Sequence, residues 1–208
     1  MIDRLGALAR GKAVLALTGA GLSTESGIPD YRSPQARPRR PIHGPEFVRS
    51  EALRKRYWAR SALGWERIRS AEPNAGHRAL ASLERSGVVF RVITQNVDRL
   101  HHKAGSRSVT ELHGALAEVI CLGCGAIDNR DALQARILAH NPGWNSHVAP
   151  NAPDGDADLP ADEIERFVVP ACTACGGVLK PRVVFFGENV PRATVDEAFA
   201  ALDAAELL

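Results

Sequence analysis

With 208 residues, 45% of them hydrophobic, the chain is long enough for one domain, or for one domain with a smaller insert. Its 26 basic and 24 acidic side chains leave a net charge of +2, too balanced to point to nucleic acid or to a membrane surface. No apolar run reaches membrane-spanning length, and Met1-Ile2-Asp3-Arg4 lacks the basic-then-apolar layout of a signal peptide. The expected compartment is therefore the cytoplasm, where the four cysteines stay reduced unless a metal holds them.

Ala13 to Leu17 reads as a short, buried strand of a parallel sheet. It breaks into "GAGLSTESGIPDYRS", and glycines after a buried strand signal a close backbone approach. Gly19-x-Gly21 invites a dinucleotide-binding reading, but Thr24 stands where the usual third glycine belongs. By itself a lone G-x-G is equally a tight turn. Arg32 can reach a phosphate, and Asp30 can accept hydrogen bonds from an amide NH2. Pro34 to Pro45 reads as a loop. The bases between Arg32 and Arg60 read as a solvated face rather than an anion site. "EALRKRYWARSALGWERIRSA" and "NAGHRALASLERSG" read as helices, the second stopped by Gly87.

Val88 to Thr94 is the second expected strand. It ends in Gln95-Asn96-Val97-Asp98, polar groups at the strand end where open α/β sheets take ligands. "ELHGAL" then places His113 between apolar neighbours, a setting that suits a satisfied core histidine as well as a functional one. Cys121-x-x-Cys124 and Cys172-x-x-Cys175 use every cysteine, and two such turns make a tetrahedral four-sulfur site that suits zinc. Four thiolates leave no open position, so the metal is expected to be structural. Asn141 to Pro160 reads as a long loop with few core formers, and the acids from Asp154 to Glu165 as a solvated surface. Val183 to Phe186 is the third expected strand. "PRATVDEAFAALDAAELL" is helical, and its last letters look like the opening of another buried strand, so the sheet looks unfinished. Strands alternating with helices indicate an α/β fold with right-handed crossovers.

In this order "GAGLSTESGIPDYRS", "TQNVDRLHHKAG", "ELHG", the two C-x-x-C pairs and "LKPRVVFFGENVP" resemble the sirtuins, NAD-dependent protein-lysine deacylases. "YWARSALGW" and the "PDYRS" ending look most like the class II branch, some of whose members are described as ADP-ribosyltransferases or as removing longer acyl groups. The resemblance implies a Rossmann-like parallel sheet, short of its C-terminal part, with an inserted small domain made of a helical segment and a four-cysteine zinc module. Residues 1–34, 75–116 and 178–208 would form the NAD-binding domain. Residues 35–74 would be the helical part, and 117–177 the zinc module with its acidic loop 141–165.

The resemblance also implies roles. Gly19, Ala20, Gly21 and Thr24 would pass close to the pyrophosphate and ribose of NAD, and Ile28 and Asp30 would hold its carboxamide. Tyr31 stands where the family commonly has a phenylalanine that shields the reactive face, and Arg32 completes the cofactor loop. Gln95, Asn96 and Asp98 would orient the ribose and an ordered water, and Val97 would also contact the cofactor. His113 would be the general base that takes a ribose hydroxyl proton, with Asn96 as its catalytic partner. Cys121, Cys124, Cys172 and Cys175 would hold one structural zinc ion. Val183, Val184, Phe185, Phe186, Gly187 and Glu188 would receive the acyl-lysine peptide as an added strand; on its own "VVFF" is equally a core strand. Arg182 replaces the acid expected in "KPDVV". Tyr57 and Arg60 share a helix face and match an acyl-carboxylate pair of another sirtuin class, but at a different spacing, so they read as helix surface.

The expected function is protein-lysine deacylation, yielding nicotinamide and O-acyl-ADP-ribose. The alternatives are protein mono-ADP-ribosylation and a non-catalytic module that binds acyl-lysine peptides or a partner. Nucleic acid and membrane are not expected partners. The sirtuin segments that contact the adenosine half of NAD lie beyond this sequence, so weak NAD affinity and an exposed apolar sheet edge are expected.

Overall fold

The structure is a computed structural model that describes residues 2–30, 42–146 and 161–208. It begins with α1 (Ile2–Ala9), β1 (Val14–Thr18), a 3-10 turn over Ala20–Ser26, α2 (Gly44–Arg49), α3 (Glu51–Ser70), α4 (Ala75–Arg85), β2 (Val89–Thr94), α5 (Leu100–Lys103) and β3 (Val109–Glu111). It continues with β4 (Gly114–Cys121), β5 (Ile127–Asn129), α6 (Arg130–His140), a 3-10 turn over Trp144–Ser146, α7 (Ala161–Arg166), β6 (Leu179–Val183) and α8 (Arg192–Asp203). Two compact units result: Met1–Ile28 with Ala71–Gly114 and Asn189–Leu208, and Pro29–Ser70 with Ala115–Glu188. Residues 178–188 thus group with the second unit.

The first unit is a Rossmann-like parallel sheet in the order β1-β2-β3, with Thr18 opposite Thr94 and Thr94 opposite Glu111. Its β-branched and leucine-rich strands suit burial, and Leu15 and Ile93 pack with Ala201 of α8. Asn74 caps α4 by accepting from the Gly76 and His77 N–H groups, and Gly87 ends the connection at φ +75. Beyond α8 the Leu15 N–H donates to the Leu207 carbonyl, and Leu207 bridges Val14 in parallel. The final residues therefore do begin to pair as a strand, on the edge of β1 away from β2. Leu17, Phe199, Leu202 and Leu208 are exposed in this unit.

The second unit is built on aromatic packing. Trp58, Phe47 and Phe167 are sealed in its core. Indole N–H groups tie distant segments together: Trp58 donates to the Leu179 carbonyl, Trp144 to the Ala59 carbonyl and Trp65 to Asp131. Arg130 is buried with its guanidinium over the Trp58 and Trp65 rings, at 5.4 and 5.2 Å, and it donates to the Ser61 carbonyl. Burial pushes Arg130 down to about 10.

Four expectations need correction. The third strand is Leu179–Val183, not Val183–Phe186, and it lies beside β4 in the second unit's sheet of order β5-β4-β6. The Lys180 ammonium binds the Val183 carbonyl and the chain then turns at Gly187, φ +76, which ends the strand early. Tyr57 and Arg60 are buried rather than on the helix surface, because α3 is enclosed on several sides and Tyr57 packs edge-on against Phe47 and Phe185. The bases of α2 and α3 are not simply solvated: Arg54 donates to the Phe47 and Val48 carbonyls at the end of α2, and Lys55 to the Glu165 carbonyl at the end of α7. Finally, the 141–160 stretch starts inside the core. Asn141 is buried and bonded to Ile137 and Val168, and Trp144 stacks near Phe167. Residues 147–160 lie outside the described residues, as do Tyr31, Arg32 and most of the 34–45 loop.

Candidate active site and metal centre

β1 ends at Thr18, and Gly19 carries the chain, still extended, into the 3-10 turn. The turn closes on itself: the Leu22 N–H donates to the Gly19 carbonyl, Thr24 Oγ1 to the Gly21 carbonyl, and Gly27 exits in the left-handed region at φ +80. Ser23 is buried at its centre. Its hydroxyl donates to Asp98 Oδ2 at 2.7 Å and accepts from Asn96 Nδ2 at 3.0 Å. Asn96 Nδ2 also donates to the Gly19 carbonyl at 3.1 Å. A carbonyl only accepts, so this contact fixes the amide orientation and leaves Asn96 Oδ1 as the acceptor end of the side chain. Asp98 Oδ1 accepts from the Leu100 N–H, which starts α5. The glycine turn is thus bolted to the carboxyl end of β2 by Asn96 and Asp98.

His113 sits in the two-residue turn after β3, half-buried, and Gly114 follows at φ +73. His113 Nδ1 lies 3.0 Å from the Gln95 carbonyl. That oxygen cannot donate, so Nδ1 carries a proton, and the neutral tautomer that fits this contact has its lone pair on Nε2. In that tautomer the ring is oriented as proton abstraction by Nε2 requires.

Like Ser23, the histidines and threonines beneath the turn had no role from sequence. His77 and His101 are fully buried with ring centroids 5.0 Å apart, and His77 Nε2 is 3.5 Å from Ser23 Oγ. Thr18 Oγ1 donates to Thr94 Oγ1 and lies 2.9 Å from His101 Nε2. Burial, with His77 next to it, pushes His101 down to about 4, and burial lowers His77 as well. Both imidazoles are neutral at pH 7 and underpin the turn. Their only signal in sequence was their presence in "EPNAGH" and "DRLHH".

The expected cofactor residues of this unit, Gly19, Ala20, Gly21, Thr24, Ile28, Gln95, Asn96, Val97, Asp98 and also His113, all lie on the glycine turn or at the ends of β2 and β3. A Cβ added at Gly19 or Gly21 would meet nothing within 4 Å among the described residues. Protein packing therefore does not demand glycine there, whereas a ligand laid against the backbone would. Gln95 is exposed and Asn96 is half-buried. Asp30 is half-buried and belongs to the second unit.

In the second unit the sulfurs of Cys121, Cys124, Cys172 and Cys175 lie within 4.8 Å of one another. Tetrahedral zinc with Zn–S bonds of about 2.3 Å needs sulfurs roughly 3.8 Å apart, so the set fits. The two knuckles repeat one pattern. The Gly125 N–H donates to the Cys121 carbonyl and the Gly176 N–H to the Cys172 carbonyl, each at 2.9 Å, and both glycines have φ +73. A Cβ at Gly177 would come within 2.9 Å of Cys121 Sγ, so that position needs glycine. The Cys124 and Gly123 N–H groups draw the Cys121 thiol down to about 6. Cys175, although the Gly177 N–H donates to it, is pushed up to about 12 by the Cys124 and Cys121 sulfurs. Four thiolates this close cannot all ionise alone; a dication removes the conflict.

Also in the second unit, Val183 to Glu188 forms the end of β6 and a turn. Arg182 pairs with Glu118 of β4 at 2.5 Å, so its charge is answered across the sheet. No described helix is long and apolar enough to cross a membrane.

The Sir2 family model matches residues 19–208. An NAD-dependent protein deacetylase of Xanthomonas axonopodis pv. citri (strain 306) is 53% identical over 199 residues, covering 95% of this chain and 68% of that protein. The mitochondrial NAD-dependent protein lipoamidase sirtuin-4 of Bos taurus is 50% identical over 190 residues, covering 89% of this chain and 60% of that protein. A solved structure described as Sir2–p53 peptide–NAD+ superposes with a TM-score of 0.71 at 29% identity, covering all of this chain and 74% of that one.

Proposed function

The chain belongs to the Sir2 family, and from that premise we propose that it is an NAD-dependent protein-lysine deacylase. NAD supplies a ribose carbon whose leaving group is nicotinamide, and the acyl group of a lysine ends on that ribose, giving, with one water consumed, nicotinamide, free lysine and O-acyl-ADP-ribose. Every other task falls to residues of the chain. The glycine backbone at 19 and 21 gives the pyrophosphate a close approach. Asn96 Oδ1, its amide nitrogen committed to Gly19 and Ser23, accepts from a ribose hydroxyl or an ordered water. His113 Nε2 takes the ribose hydroxyl proton, and the Gln95 carbonyl stabilises the Nδ1–H of the imidazolium that forms. Val183 to Glu188 receives the peptide as an added strand. Tyr31 and Arg32 complete the cofactor loop, and Asp30 and Ile28 hold the carboxamide. The zinc ion, closed off by four sulfurs, only shapes the second unit. The cytoplasm, where thiols stay reduced and able to hold zinc, is the compartment that suits this activity.

The observation that carries the reading is the His113–Gln95 contact, which leaves a basic nitrogen at the ligand end of the sheet beside the glycine turn's anchor. The test is nicotinamide release from NAD across a panel of acyl-lysine peptides. The expected result is peptide-dependent release that falls by about 10²–10⁴ in His113→Ala with no loss of thermal stability. Release that is equal in the variant would remove His113 from the chemistry.

A further inference from the structure

The turn at Val183–Glu188 is held by a polar clasp of Lys180 and Glu188. Lys180 is buried, 7% exposed, on β6. Its ammonium donates to the Val183 carbonyl at 2.6 Å, pairs with Glu188 Oε2 at 2.9 Å and lies 4.5 Å from the centre of the Phe185 ring. Glu188 Oε2 also accepts from the Phe185 N–H at 2.8 Å, and the Glu188 N–H returns to the Phe185 carbonyl at 3.0 Å. One buried cation and one carboxylate thus fix three points of a six-residue turn. A buried lysine left without its carboxylate is costly, so the two act as a unit.

The clasp is seated from outside as well. The Gly44 N–H donates to the Phe186 carbonyl, and His43 bridges Phe186. A Cβ at Gly44 would fall 2.3 Å from Glu188 Cγ and 2.4 Å from Oε1. The carboxylate is tied to Lys180 and to the Phe185 N–H, so it cannot swing clear. The Phe185 ring is locked against Phe47 and Tyr57, at 5.2 and 5.5 Å. Phe186 instead stays 59% exposed, and residues 184–188 have no ladder partner among the described residues except His43. A turn pinned on one side and open on the other is preorganised to take a strand on the open side.

We propose that Lys180 and Glu188, with Gly44 as the seat of the carboxylate, are positioning residues that hold this edge in its peptide-receiving shape. The inference rests on the reading of Val183–Glu188 as the peptide-binding edge. It separates peptide affinity from chemistry, because nothing in the clasp belongs to the first unit, which carries His113 and the glycine turn.

The test compares wild type with Lys180→Met, Lys180→Arg, Glu188→Gln and Gly44→Ala, the last leaving both charges intact. Peptide KM, NAD KM and kcat are measured, and binding of a fluorescein-labelled acetyl-lysine peptide is followed by anisotropy. The expected result is a rise of about tenfold in peptide KM and Kd for Lys180→Met, Glu188→Gln and Gly44→Ala, with partial recovery in Lys180→Arg and no parallel rise in NAD KM. A merely structural role would lower the active fraction, and so kcat and melting temperature, without moving KM. Unchanged peptide KM and Kd in these variants would overturn the proposal, as would an equal rise in NAD KM. Wild type that binds no acyl-lysine peptide would overturn it together with the reading of the turn. Wild type that binds the peptide but releases no nicotinamide would sink the enzymatic reading alone, and the anisotropy series would still decide the clasp.

Discussion

The glycine turn of the first unit and the cysteine knuckles of the second are both tight turns at strand ends, yet they are held in opposite ways. The glycine turn is held by the protein itself. Ser23, Asn96 and Asp98 satisfy one another, and two neutral histidines back them. The knuckles are held by their ligand. Their backbone hydrogen bonds shape each turn, but the four sulfurs oppose one another's ionisation until a dication joins them. A ligand-ready site must be rigid while empty, whereas a structural metal site need not be. The same contrast explains the glycines: Gly177 is needed by the protein, while Gly19 and Gly21 face open space.

The hardest way to break this comparison is to remove a sulfur. Cys172→Ser is expected to abolish zinc binding, since structural zinc in small peptides is worth about 10–16 kcal/mol and three thiolates do not close the site. The zinc content of the purified variant should fall to nothing, with loss of the ordered knuckles. Cys121 and Cys172 belong to the same core cluster as Trp58, so the near-ultraviolet dichroism of that aromatic core should weaken as well. Retention of one zinc per chain would show that the knuckles are not metal-held.

A smaller effect, confined to the first unit, comes from pH. His101 is near its ordinary value of 6.5 when unfolded and about 4 when folded. Between these values the unfolded chain binds the extra proton, so folded stability is fully present above about pH 6.5 and falls as pH drops towards 4. The loss is roughly 3 kcal/mol for His101, and His77 adds to it in the same direction. Thermal melts from pH 7 to pH 4.5 should show the decline, and His101→Gln should flatten it. A wild-type melting temperature that holds steady across this range would contradict the neutral histidine pair.

The smallest structural change sharpens the comparison most. Gly21→Ala adds a methyl that meets no described atom, so the melting temperature should move little, within about 0.5 kcal/mol of stability. NAD KM should nevertheless rise severalfold. A matching fall in stability would mean that the protein, not the cofactor, requires the glycine.

What could be read in the sequence was chemistry held in short spacings. The two C-x-x-C pairs, the Gly19 loop and the polar run from Gln95 to Asp98 each carry their meaning within a few residues. What could not be read depends on tertiary neighbours. Arg60 looked like helix surface because the packing around α3 does not show in the helix's own periodicity. Trp144 sat in a polar, proline-rich stretch, and its bond to the Ala59 carbonyl and its packing near Phe167 show it as core. Val183 to Phe186 has the apolar run of a strand, but the Lys180 ammonium ends the strand at its first residue. Ser23, His77 and His101 are ordinary letters until folding puts them beneath one turn.

The central claim is that the sugar revealed by nicotinamide loss captures the acyl group of a lysine. Mass spectrometry of the products formed from NAD and an acetyl-lysine peptide measures this most directly. The account predicts free lysine peptide together with the acetyl group carried on ADP-ribose. ADP-ribose attached to protein, with the acetyl-lysine left intact, would contradict it.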